Sequence, residues 1–261
     1  MSDLFEKVIH LGSEILNCKE NCKGVSKNVK EGIIPRGLFL EYFMTEPNCK
    51  EFQIQNENFR EPKAKVGLFG INPGRNEVFE NELYRYILDK YDNDYKLAFE
   101  EIHKIWYKLF GNWENLNDIE IPYTRNAKKF LVGIRSVLED VVGLKKGDPI
   151  LWSELVYCEK SKGEMRLPPE TVCTCVSKYL KSVLKLIDSP IICFGRETFD
   201  YFGKLVDGRL NCGEINELKE IKRILDLNNA EKTKKIIGIC HPSWWQNFSN
   251  YFENRVKMVT S

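Results

Sequence analysis

Val66-Gly67-Leu68-Phe69-Gly70-Ile71-Asn72-Pro73-Gly74 is the stretch whose reading decides the fold. An apolar run gives way to a polar turn bounded by glycines, the pattern of a strand buried on both faces of a parallel sheet. A second apolar run, Ile236-Ile237-Gly238-Ile239-Cys240, ends in the same manner on His241-Pro242-Ser243. In open α/β sheets, ligands bind beyond the carboxyl ends of the strands. Two polar loops at such ends, one carrying a carboxamide and the other an imidazole, outline a catalytic cleft.

The flanking sequence alternates in the way such a sheet requires. Residues 3–17 place Leu4, Val8, Leu11, Ile15 and Leu16 at helical spacing, whereas 18–62 is polar, dotted with cysteines and reads as irregular. A Tyr- and Trp-rich stretch over 78–120 carries helical signals around Leu97–Phe110. Leu131, Ile134, Leu138 and Val141 mark an amphipathic helix that Gly143 can end. Ile150 to Tyr157 reads as a strand, followed by a turn through Lys162-Gly163. Pro169 and Glu170 then open a helix with the apolar face Val172, Val176, Tyr179, Leu180, Val183 and Ile187. Ile191 to Phe194 is the next strand, Gly195 turns into a helix near Glu197–Leu205, and Asn216–Leu227 reads as another helix. Strands that alternate with helices imply an α/β fold. The expectation is a three-layer, doubly wound domain whose central, mostly parallel sheet has four to five strands flanked by helices. Residues 1–62 would form an N-terminal helix and cysteine-containing segment packed on this core. Residues 63–261 would form the α/β domain, with a helical insertion around 80–118.

Composition narrows the function. With 261 residues and 43% apolar content the core is ample. Lys and Arg number 39 against 38 Asp and Glu, a net charge of +1, so a nucleic-acid role needs a local basic face. Only strand-length apolar runs occur, and neither a membrane span nor a signal peptide is expected, which points to a cytoplasmic protein. Nine cysteines without a secretory signal favour thiols, a metal or a cluster over a disulfide framework. There is no GxGxxG after a strand and no GxxxxGK[ST] loop for a nucleotide. The GxSxG elbow of a hydrolase triad is also missing.

The two motifs together resemble those of the uracil-DNA glycosylase superfamily. Gly70-Ile71-Asn72-Pro73-Gly74 is similar to its first motif as found in mismatch-specific and single-strand-selective members, and His241-Pro242-Ser243 to its second. Between them the order of segments resembles the iron–sulfur branch. Pro122-Tyr123-Thr124-Arg125-Asn126-Ala127-Lys128-Lys129-Phe130-Leu131 is like that branch's proline–aromatic segment leading into a helix. Leu155-Val156-Tyr157-Cys158 lies where that branch has a strand ending in cysteine, and Ile191-Ile192-Cys193-Phe194-Gly195 resembles its apolar strand ending in glycine. The likeness covers roughly residues 66–250, interrupted near 80–118.

The resemblance implies a monofunctional DNA-repair glycosylase, which flips a damaged base (uracil or another deaminated base) from DNA and hydrolyses its N-glycosidic bond. Such an enzyme needs a positioned water on one side of the sugar and hydrogen-bond donors at the departing base on the other. Asn72 would hold the water and His241 would donate to the base oxygen, a contact typically worth roughly 2.7–4 kcal/mol of barrier. On the residues alone, Asn72 also suits a turn before proline, and His241 a strand-end cap. Ile71 and Tyr123 would bind the flipped base, Tyr123 as a stacking platform or else as a core tyrosine. Trp244 and Trp245 follow the second motif, where relatives carry residues that wedge into the duplex. Ser243, with Gly74 and Gly195 through their amides, would grip phosphates, and Arg75, Lys128, Lys129 and Arg196 would supply a basic rim. The partner would be DNA containing damaged bases, the protein a monomer. A second possibility is a catalytically inactive glycosylase-like protein that only binds DNA.

Two features depart from the branch. Where it carries an asparagine that reads uracil, this chain has Glu154, and an ionised carboxylate only accepts hydrogen bonds. Either the base differs, Glu154 is neutral, or the register shifts so that Ser153 matters. The resemblance further implies a structural 4Fe–4S cluster on Cys18, Cys22, Cys158 and either Cys173 or Cys175, with Cys175 the better match. The first pair is nevertheless spaced CxxxC rather than CxxC. Zinc or free thiols are the alternatives. His10 and His103 fall in helical patterns that suit surface or core positions, and Cys193 and Cys240 in apolar strands suit the core.

Overall fold

The structure is a computed structural model, described here for residues 3–25, 38–43, 63–71, 79–110, 135, 137–161, 166–206 and 236–239. It begins with α1 (Asp3–Leu16), whose Leu4, Phe5, Val8, Leu11, Ile15 and Leu16 are all buried. The edge strand β1 (Phe39–Tyr42) and the central strand β2 (Val66–Gly70) follow. Two helices come next, α2 (Phe79–Lys90) and α3 (Tyr95–Phe110), and a π-helical turn at Val137–Val141 precedes β3 (Pro149–Glu154). A long helical segment runs through α4 (Pro169–Cys175), a π turn (Val176–Leu180) and α5 (Lys181–Lys185). Strand β4 (Ile191–Phe194), α6 (Gly195–Val206) and β5 (Ile236–Ile239) complete the described elements.

The five strands form one sheet in the order β1-β3-β2-β4-β5. β3, β2, β4 and β5 are mutually parallel, and β1 runs antiparallel to β3. This is the mostly parallel α/β architecture that the alternating pattern predicts. β2 sits at the centre with Val66, Gly67, Leu68 and Phe69 buried, which explains its unbroken apolar run. From β2 the chain moves outward on one side to β3, then crosses to β4 and β5 on the other. The switch in direction falls between β2 and β4.

One sheet face packs on the helices through Phe69, whose ring meets Phe202 of α6 edge-on at 5.2 Å. Val172, Val176, Tyr179, Leu180, Val183 and Ile187 are all buried in the same cluster, as their spacing requires. Pro169 opens α4 with its missing N–H at a position that needs none.

One expectation is corrected. Residues 18–62 are not irregular throughout, because β1 lies within them and pairs with β3 from Phe39↔Trp152 to Tyr42↔Pro149. Its alternation is masked because Leu38, Leu40, Glu41, Tyr42 and Phe43 are all buried, Glu41 included. The region 80–118 also contributes core. Ala98, Phe99, Ile102, His103 and Trp106 form one buried face of α3. Asp94 caps this helix, its Oδ1 accepting from the amides of Lys96 and Leu97 at 3.0 and 3.1 Å. The Trp106 indole donates to Tyr84 of α2 at 2.7 Å and tilts against Phe39 of β1 at 5.4 Å.

His103 fastens the same helix to the sheet. Its Nε2 accepts the Leu40 amide at 3.0 Å, and the rings of Phe5, Phe39 and Phe99 stand 5.4–6.3 Å away. Burial holds its pKa down to about 4 against an ordinary 6.5. The folded state therefore resists a proton that the unfolded chain accepts. The stabilisation is complete above about 6.5 and lost as pH falls toward about 4, with an upper bound of roughly 3 kcal/mol. The melting temperature is expected to fall through that window in the native chain, and to fall less in His103→Gln. Thermal unfolding from pH 7 to 4 measures the difference.

Candidate functional site

The carboxyl ends of the parallel strands form one row. Gly70 stands opposite Glu154, Phe69 opposite Cys193, and Phe194 opposite Ile239. Beyond this row the chain stays tied to β2, since the amides of Leu155 and Val156 donate to Gly70 and Ile71 at 3.0 and 2.9 Å. Ile71, half-buried, is thus held by its carbonyl at the point where the first motif begins. β2 and β5 are separated only by β4, so the residues that precede Asn72 and His241 leave the same end of the sheet. Two strand spacings put those ends roughly 10 Å apart. Asn72, Gly74, Arg75, Tyr123, Ser243, Trp244 and Trp245, like His241, lie outside the described residues.

Glu154 closes the row on the β3 side. Its carboxylate lies over the Gly70 backbone, so closely that a Cβ built on Gly70 would fall 2.1 Å from Oε2. The glycine of the motif thus makes room for this side chain. Trp152 lies on the same face two residues earlier. Its ring meets Phe194 of β4 at 5.7 Å, reaching across β2. The Trp152 indole is oriented by a bond from Nε1 to Glu41 Oε2 at 3.0 Å. Ser153 points to the opposite face, where its hydroxyl bonds Tyr157 at 2.8 Å. Of the two candidates for reading a base, only Glu154 faces the side on which Trp152 and Phe194 meet.

On the other side of the switch point, Gly195 starts α6 with a φ of +83°, a backbone shape that glycine adopts without strain. Arg196 follows in full exposure, its Nε 3.5 Å from Asp200 Oδ2. A guanidinium therefore follows the carboxyl end of β4, but it shares its charge with a carboxylate one turn along.

Cys18, Cys22, Cys158 and Cys175 lie on three segments that other contacts join. Residues 20–25, which include Cys22 and follow Cys18, are stapled to two other segments. Val25 bridges Lys160, and the Ser161 amide donates to Gly24 at 3.0 Å. Thr171 of α4 donates to the Lys23 carbonyl at 2.6 Å, and Lys178 bonds Glu20 at 2.9 Å. These ties carry Cys22 to Cys158 and Cys175. The Cys175 thiol hydrogen-bonds Cys22 and feels Cys158, while Cys18 hydrogen-bonds the Tyr179 hydroxyl. The bond with Cys22, reinforced by burial, pushes the Cys175 thiol up. Burial and the bond with Cys18 do the same for Tyr179. Tyr157 packs edge-on against Tyr179 at 5.6 Å. The helix carrying Cys175 passes into its π turn at the next residue, a distortion that often accompanies functional sites. Cys173 is disulfide-bonded, whereas Cys175 is free. Among the described residues no three His, Cys, Asp or Glu side chains are arranged as a metal site.

His10 is exposed beside Glu14, and His103 and Cys193 are core residues, as their positions in the pattern suggest. Sequence reasoning passed over Trp152, Phe194 and Glu41. Strand alternation, with Glu154 as reference, would have put Trp152 on the same face as Glu154, but the role of Glu41 needed the unrecognised β1.

No family model matches this chain, and no curated protein matches it. Among the described residues, no helix is long and apolar enough to cross a membrane.

The contact between Gly70 and Glu154 makes a direct expectation. Gly70→Ala should destabilise the fold by about 1–3 kcal/mol through overpacking. Adding Glu154→Ala should recover part of that loss, a coupling that a double-mutant cycle of melting measurements reads out.

Proposed function

We propose that this protein is a monofunctional DNA glycosylase that hydrolyses the N-glycosidic bond of a damaged base flipped out of DNA. The single observation that supports it is the shared carboxyl end of β2 and β5, from which the two motifs continue, with Glu154 in the same row. In this reading Asn72 holds a water against C1′ and His241 donates to the oxygen of the leaving base. As the C1′–N bond breaks, positive charge grows on the sugar and negative charge on the base. The hydroxyl of the water ends on C1′, and its proton balances the departing base. Neither motif contains a lysine, so no Schiff-base step is invoked. In the same reading Arg75 and Arg196, with the backbone amides of Gly74 and Gly195, contact phosphates.

The reading includes a structural 4Fe–4S cluster held by Cys18, Cys22, Cys158 and Cys175. The donor set fits in number and kind, being four thiols on three segments already fastened to one another. When bound, the cluster supplies cross-linking between the end of α1, the segment after β3, and α4. A second reading, a glycosylase-like protein that binds DNA without cleaving it, is favoured by one observation, the carboxylate of Glu154 in the row.

Oligonucleotides bearing uracil, hypoxanthine, xanthine or mismatched thymine, incubated with the protein and treated with alkali, decide between the two. Strand breaks at any of them support catalysis. Binding without breaks on any base supports the second reading. Where cleavage occurs, Asn72→Ala and His241→Ala are each expected to slow single-turnover release by roughly a hundredfold or more, with DNA affinity little changed. Anaerobically purified protein is expected to be brown and to contain iron. Cys22→Ser or Cys175→Ser should lose the colour and melt at lower temperature, whereas iron-free native protein would remove the cluster and leave the glycosylase reading intact.

A further inference from the structure

We infer that Cys22 and Cys175 form an oxidisable pair, a modification site that peroxide converts into a disulfide fastening residues 20–25 to α4. The inference does not depend on the glycosylase reading. The Cys175 thiol hydrogen-bonds Cys22, so the two sulfurs are already in contact. Contacts on either side hold them there. Thr171, Cys175 and Lys178 succeed one another at helical spacing, and they meet the N-terminal segment in reverse order. Thr171 donates to the Lys23 carbonyl at 2.6 Å, Cys175 meets Cys22, and Lys178 donates to Glu20 at 2.9 Å. The segment thus lies antiparallel along one stripe of the helix, with the two cysteines at the middle of the run. The Tyr157 backbone amide also bonds the Cys175 sulfur, and the Ser161 amide donates to Gly24 at 3.0 Å.

The two thiols differ in access. Cys22 is half-buried and within reach of a small oxidant, whereas Cys175 is buried. Such a pair divides the chemistry between an exposed sulfur that is oxidised and a second that resolves it. Hydrogen peroxide transfers one oxygen to the Cys22 thiol, giving a sulfenic acid and one water. The Cys175 sulfur then attacks the Cys22 sulfur, the S–O bond breaks, and the hydroxyl departs with the Cys175 proton as a second water. The two sulfurs lose two electrons in all, and the peroxide gains them. Because the resolving thiol is held in contact, this step outruns further oxidation of Cys22. Cys173, two residues before Cys175, is disulfide-bonded, so α4 already carries one sulfur–sulfur bond. The cluster of the reading above would engage the same two sulfurs, and the two states exclude one another.

The test treats the native full-length protein with a small excess of hydrogen peroxide and blocks the remaining thiols with N-ethylmaleimide. Peptides are then mapped by mass spectrometry, and iron is measured in the same samples. A peptide joining Cys22 to Cys175 is expected, and dithiothreitol should abolish it. In iron-free protein the bond should raise the melting temperature by roughly 5–10 °C, a rise that Cys22→Ser does not show. Iron-loaded protein should form the cross-link only as iron is released. Recovery of Cys22 as a sulfinic acid, or joined to a different cysteine, overturns the inference. So does iron-free protein, as purified or after chelation, that keeps both thiols through the treatment. The peptide map of the native chain decides the matter even where a variant fails to fold.

Discussion

Everything in this molecule hangs on the parallel pairing of β2 with β3 on one side and β4 on the other. The pairing buries Val66, Gly67, Leu68 and Phe69 completely and brings every strand end of the parallel set to one level. Because side chains alternate strictly along a strand, the register that pairs Gly70 with Glu154 also decides which face each carries. A slip of β3 by one residue would carry Trp152 and Glu154 together to the face of Phe69, and Ser153 to the face of Phe194. The reactivity proposed for the cleft is therefore a consequence of sheet register before it is a matter of individual residues.

The N-terminal segment is integrated into this frame by polar ties as well as by apolar burial. α1 brings a buried stripe to the core, but the stretch after it is fixed by backbone bridges to Lys160 and Ser161 and by the Thr171 hydroxyl. Such a segment has little regular structure to sustain it, and its conformation depends on partners distant in sequence. Cys18, Cys22, Cys158 and Cys175 lie on the segments that these ties join.

Much of the frame was legible in the sequence. α1, β2, the α4–α5 segment, β4 and β5 all followed from period and punctuation, because each buries a simple stripe or an unbroken run. β1 was not legible: Glu41 is buried in it, and its neighbours are apolar on both faces, so neither alternation nor composition stood out. The same blind spot hid the Glu41–Trp152 bond that orients the indole on the face of Glu154. The choice between Ser153 and Glu154 likewise depended on which face β3 presents, and pairing with β2 answers it. Asn72 and His241 were visible as motif residues, and the strands leading to both end on the same side of the sheet, but both residues lie outside those described.

The imidazole of His103 has a further consequence for solubility. By taking the outward-facing amide of Leu40, it occupies a hydrogen-bonding position on the border of the sheet that an incoming extended peptide would otherwise use. Unsatisfied borders of this kind template association between copies of a protein. A side chain from a neighbouring helix, ringed by three aromatic groups, thus blocks that one position on the margin of β1.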